Sequence, residues 1–75
     1  MTTEEAKFRQ ETKRILNRFS RKRGNLIPIL QKVQSELGYL PREAMLEIAQ
    51  FLGIAEINVY SVVTFYNQFR LNPPG

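Results

Sequence analysis

The sequence predicts an all-α fold, a small four-helix bundle made of three core helices and a basic N-terminal helix. Three observations carry this prediction. Apolar residues recur at three- and four-residue spacing along most of the chain, the period of a helix face and not of a half-buried strand. Glycine and proline stand singly at the joints between these periodic stretches. At 75 residues, 43% hydrophobic and 24% charged, the chain has material for one core and too little for two.

Residues 3–23 read as the first helix, with a thin apolar stripe of Phe8, Ile15, Leu16 and Phe19, and with Thr12 filling the gap in the stripe. Its other sides are basic. Eight cations (Lys7, Arg9, Lys13, Arg14, Arg18, Arg21, Lys22, Arg23) against Glu4, Glu5 and Glu11 leave the stretch at +5. Lys32, Arg42 and Arg70 against four glutamates leave the rest at −1, so the net charge of +4 is an N-terminal property. Acidic residues near the start and the Arg21-Lys22-Arg23 run near the end both complement the helix dipole, so part of the pattern serves the helix itself.

The clearest helix is residues 25–37. Leu26, Ile29, Leu30, Val33 and Leu37 share one stripe, while Lys32, Ser35 and Glu36 fall elsewhere. Asn25 is the expected N-cap, and Pro28 falls in the first turn, where a missing N–H breaks no helical bond. Gly38 supplies a left-handed stop, Tyr39 is expected to pack over the helix end, and Pro41 opens the next helix. That third helix covers residues 42–52, buries Ala44, Met45, Ile48, Phe51 and Leu52, and ends at Gly53. The fourth covers residues 55–69, with Val59, Val62, Val63, Tyr66 and Phe69 as its inner stripe. Its branched side chains lose rotamer freedom in a helix, so it depends on packing. Residues 72–75 form an extended exit. The chain thus divides into a basic helix (1–24), a three-helix core (25–71) and a terminal linker (72–75).

Composition narrows the chemistry. With no cysteine and no histidine, the chain offers neither thiolate nor imidazole to a metal, and the commonest nucleophiles and bases of enzyme sites are missing. No residue is assigned a catalytic, cofactor-binding or metal-binding role. Glu43 and Glu47, four apart on one helix, read as a solvated face, and no glycine-rich phosphate loop is present. No apolar run approaches the roughly 20 residues of a membrane span, and the N-terminus lacks the apolar heart of a signal peptide. The expected location is the cytoplasm, or the cytoplasmic side of a membrane complex.

Two function classes remain. Ile27, Leu46, Ile57, Tyr60 and Phe65 do not fit the inner stripes. Ile57 and Tyr60 lie three apart on one side of the last helix, a patch suited to a partner. Alternatively, Ile48, Ala49, Leu52, Gly53, Ile54, Val59 and Val62 have the spacing of a helix-turn-helix, and the basic first helix would add phosphate contacts. Against DNA binding, the groove-facing positions would be Ala55, Glu56, Ile57, Tyr60, Ser61 and Thr64, with no strong base reader among them. Adsorption of the basic helix to an anionic membrane is a lesser option, because a bundle needs its apolar face.

Residues 26–75 resemble the N-terminal helical part of the small 2Fe-2S subunit of NADH:quinone oxidoreductase, the complex I E chain, and the matching subunits of NAD(P)-linked hydrogenases and formate dehydrogenases. The resemblance rests on Gly38-Tyr39-Leu40-Pro41, on Ile48-Ala49 followed by Leu52-Gly53-Ile54, and on Val59-Tyr60-Ser61-Val62-Val63-Thr64-Phe65-Tyr66 with Phe69. The last run is the most specific. In that family the bundle precedes a thioredoxin-like domain whose four cysteines hold the cluster. Here no ligand can be carried over. The chain then reads either as cut at the domain boundary or as a free-standing helical relative, and its Pro-Pro-Gly ending favours the cut, with Asn72-Pro73-Pro74-Gly75 as the linker and the 2Fe-2S cluster in the domain beyond. The resemblance further implies a non-catalytic docking role, with the NADH-oxidising flavoprotein subunit and the chain's own ferredoxin-like domain as partners and nucleic acid not among them. The residues expected to make contact are Ile57, Tyr60, Phe65 and Arg70, with Arg18, Arg21, Lys22 and Arg23 as a second surface. Whether the parent complex is respiratory, a hydrogenase or a formate dehydrogenase stays open.

Overall fold

A computed structural model describes residues 3–72. Four α-helices follow one another: α1 (Thr3–Leu16), α2 (Leu26–Leu37), α3 (Arg42–Leu52) and α4 (Glu56–Phe65), with one 3-10 turn, Arg23–Asn25, ahead of α2. No strand occurs among the described residues, as the helical periodicity predicts. The expectations placed on the Glu4 and Glu5 side chains and on Pro73, Pro74 and Gly75 lie outside what is described.

Helix α3 is the centre of the packing. α1 lies chiefly on it, α4 packs against it, and α2 contacts both α1 and α3. Accordingly α3 buries the most residues: Ala44, Met45, Ile48, Ala49 and Leu52. Ile29, Leu30 and Val33 of α2 and Val59 and Val63 of α4 close the core from the other sides, and Leu40 from the α2–α3 turn is fully buried among them. The radius of gyration is 11.3 Å, against about 11 Å for a packed chain of this length.

The stripes of α2 and α3 fall where the sequence places them. Leu26, Leu37 and Phe51 stand half-buried at the margins. Gly38 takes φ +87°, the left-handed stop expected of it, and its N–H donates to the Gln34 carbonyl at 2.7 Å. Tyr39 meets the Phe8 ring edge-on at 5.9 Å, tying the α2 end to α1. Thr12 is fully buried, its hydroxyl donating to the Phe8 carbonyl at 2.7 Å.

Four expectations are corrected. The first helix ends at Leu16 and not at Arg23, because Arg18 and Phe19 bond three residues back and tighten the chain into a turn. Asn17 and Ser20 favour such a turn, since short polar side chains compete with helical backbone bonding. Asn25 does not cap α2. Its amide Nδ2 instead donates to both the carbonyl and the hydroxyl of Ser20, each at 2.9 Å, closing the α1–α2 connection. The fourth helix ends at Phe65 and not at residue 69, because the following backbone is taken by other partners. The Gln34 side chain donates to the Gln68 carbonyl at 2.8 Å and accepts from the Arg70 N–H, while the Leu40 N–H donates to the Arg70 carbonyl at 2.7 Å. Tyr66, expected inside, therefore turns outward at 44% exposed, while Phe69 still reaches the core from the returning segment.

Candidate docking surfaces

Helix α4 has too many apolar residues for one buried face. Val59 and Val63 fill the core and Val62 packs at its edge, yet Ile57, Tyr60 and Phe65 remain. The structure leaves them outside: Ile57 is 65% exposed, Tyr60 46% and Phe65 81%. Tyr66, which periodicity alone places in the core, joins this surface. Phe65 and Tyr66 meet edge-to-face at 5.3 Å, and Tyr66 meets the buried Phe69 at 6.3 Å. The exposed aromatics are thus braced against the core, which lowers the entropy lost on meeting a partner. No local signal marks Tyr66: the Thr64 hydroxyl bonds back to the Tyr60 and Ser61 carbonyls, but Thr12 bonds back to Phe8 in the same way inside the continuing α1.

Beside this edge is a shallow groove of about 230 Å³, lined by Leu40, Arg42, Met45, Glu56, Tyr60 and Leu71. Arg42 and Glu56 pair across it at 3.7 Å, both largely exposed, so the pair adds little stability and sets polarity at the rim. Arg70 is exposed, and its backbone N–H and carbonyl are both bonded, so the root of its side chain is fixed. Ile57, Tyr60 and Phe65 therefore share one helix, and Arg70 stands on the segment that returns from it. Ile27 and Leu46, also outside the sequence-derived stripes, are half-covered by their own fold.

The second set of candidates, Arg18, Arg21, Lys22 and Arg23, sits on the α1–α2 connection and not on a helix face; all four are exposed. Arg21 alone is tied down: its guanidinium lies 4.7 Å from the centre of the Phe51 ring and donates to the Phe51 carbonyl at 3.4 Å. Residues 42 and 51 of α3, which mark the two surfaces, are about 14 Å apart along the helix axis. The positions a helix-turn-helix would turn to DNA, Glu56, Ile57, Tyr60, Ser61 and Thr64, are all exposed and carry no cation.

The class of protein that emerges is a helical scaffold with two candidate docking surfaces. Among the described residues, no group of His, Cys, Asp and Glu could hold a metal ion. Residues 12–75 match the thioredoxin-like 2Fe-2S ferredoxin family, and the chain belongs to it. It is 42% identical over 55 residues to the E 1 subunit of NADH-quinone oxidoreductase from Rhizobium meliloti (strain 1021), covering 73% of this chain and 20% of that protein. The E 2 subunit from the same organism is 36% identical over 68 residues, 91% of this chain and 40% of that protein. The HndA subunit of the NADP-reducing hydrogenase from Solidesulfovibrio fructosivorans is 35% identical over 66 residues, 88% of this chain and 39% of that protein. The chain spans two fifths or less of the length of these curated relatives. The family's cluster does not fit the residues present: with neither cysteine nor histidine, the chain supplies no ligand to it.

Proposed function

We propose that this chain is the helical docking part of the iron–sulfur subunit of an NADH dehydrogenase of the complex I type or of an NAD(P)-reducing hydrogenase. In this reading it seats a following 2Fe-2S domain against the flavoprotein subunit that oxidises NADH, with residues 72–75 as the link between them. Electron transfer requires its cofactor at a fixed place, and a packed helical clamp can fix that place without chemistry of its own. The observation that carries the proposal is the uncovered apolar edge of α4: Ile57, Tyr60 and Phe65 stay exposed on a helix whose core-facing positions are already filled. Large apolar side chains left exposed together on one helix are the kind of surface that meets a partner. Among the described residues no helix is long and apolar enough to cross a membrane. DNA binding draws no support from a groove-facing set without a cation.

The test is the affinity of the intact iron–sulfur subunit for its flavoprotein subunit, read by interferometry, with Tyr60→Asp against the parent. A charge placed in the middle of an apolar interface should weaken association by about tenfold or more, with far-ultraviolet dichroism unchanged. Unchanged affinity removes α4 from the interface. Loss of affinity together with helicity would make Tyr60 a core residue instead.

A further inference from the structure

The basic corner has a shape that the docking role of α4 leaves unexplained. Between the end of α1 and the end of α3 runs a concave groove of about 380 Å³, lined by Lys13, Leu16, Asn17, Arg21, Glu47, Gln50 and Phe51. Arg18, Lys22 and Arg23 stand exposed on the connection that borders it. The ion pairs among the described residues are Arg14–Glu11, Lys32–Glu36 and Arg42–Glu56, so none of the described carboxylates pairs with the five cations at this corner. The connection is also held in place. The Asn25 amide clamps Ser20, the Asn25 N–H donates to the Lys22 carbonyl at 2.9 Å, and Arg21 is fixed on Phe51. Arg21 spends one donor on the Phe51 carbonyl, a helix-end carbonyl that needs one, and its other N–H groups have no partner among the described residues. A surplus of positive charge, five cations against the one carboxylate of Glu47, concentrated on an ordered concave surface raises the local concentration of an anionic ligand.

We propose that this groove docks an acidic peptide segment of a partner protein, with its carboxylates toward Lys13, Arg21 and the Arg18–Lys22–Arg23 rim and one apolar side chain over Phe51. The lining suits a peptide. Glu47 in the wall accepts hydrogen bonds, which a peptide donates all along its backbone and an oligonucleotide only from its bases. Asn17 and Gln50 can bond both groups of a peptide unit. An anionic bilayer would need apolar side chains free to insert beside the cations, whereas Ile15 and Leu16 are buried and Phe19 is packed against the core.

The probe is a fluorescein-labelled peptide of alternating Asp and Glu around one central Leu, titrated with the full chain and read by anisotropy. A Ser-for-acid peptide, a single-stranded oligonucleotide and phosphatidylserine vesicles serve as comparisons. The acidic peptide should bind at least about tenfold tighter than the neutral one, and added salt should weaken it. Arg18→Gln with Arg23→Gln, which removes no side-chain ion pair or hydrogen bond found among the described residues, should cost about tenfold in affinity, while Lys32→Gln leaves it unchanged. Tyr60→Asp should also leave it unchanged, which separates this groove from the α4 edge. Equal binding of the neutral peptide, indifference to the double substitution, or tighter binding of the oligonucleotide or vesicles would each overturn the proposal.

Discussion

Gln34→Ala tests how the end of the bundle is held. In the structure one Gln34 side chain makes two bonds to the returning segment, donating to the Gln68 carbonyl at 2.8 Å and accepting from the Arg70 N–H. A net contribution of about 1 kcal/mol for each such bond, reduced because Gln34 is partly solvated, puts the loss at ~1–2 kcal/mol. For a domain of this size each kcal/mol shifts the melting temperature by about 4–8 °C, so a fall of roughly 4–16 °C is expected if the bonds break only on global unfolding. Local opening would show differently. The Leu40–Arg70 backbone bond remains in the variant, so the segment should stay docked but open more often. Amide hydrogen exchange resolves the two: the Arg70 and Leu40 amides should exchange about tenfold faster, out of proportion to Ile48. Gln34→Glu keeps the acceptor for Arg70 and loses the donor to Gln68, so at neutral pH it should recover only part of the protection. A melting temperature within a degree or so of the parent, with Arg70 exchange unchanged, would refute the assignment of any restraint to Gln34.

Two further substitutions probe the core. Ile48→Ala, at a position with no exposed surface, should cost about 2–5 kcal/mol. That is a large part of a small domain's stability, and it is checked by the urea midpoint and slope. Thr12→Val should be nearly neutral, within about 1 kcal/mol, although Thr12 is fully buried. Its hydroxyl bonds only the Phe8 carbonyl, which the helix already pairs with the Thr12 N–H, so no buried acceptor is orphaned. A loss above about 2 kcal/mol, measured by the same melts, would mean that the hydroxyl serves a partner beyond Phe8.

Residues 26–53 were legible in the sequence because their signals are local. The stripe of α2, the left-handed Gly38 and the stop at Gly53 each follow from a side chain acting on its own backbone neighbourhood. Of the two ends that were misread, that of α4 is decided by groups distant in sequence and that of α1 by a tight local turn. Helix α4 yields at Phe65 where Gln34 and Leu40 claim the backbone of residues 68–70, a contest that periodicity cannot register. Helix α1 stops early where Asn25 reaches back to Ser20, so the cations expected on a helix face line a loop instead. The exposed edge was half legible. Ile57, Tyr60 and Phe65 are out of phase with the valines, but Tyr66 is in phase, and only the broken helix turns it outward.

The partnership of α1 with α3 sets a delay into the making of the molecule. The ribosome releases the first helix before its main platform exists, and the whole of α2 must be synthesised before α3 can cover the buried Ile15 and Leu16. Until then the newborn segment stays dispersed by its abundance of positive side chains, which repel neighbouring copies on a crowded polysome. A nascent chain arrested short of α3 should accordingly present a lone amphipathic helix to chaperones, and one arrested after it should not.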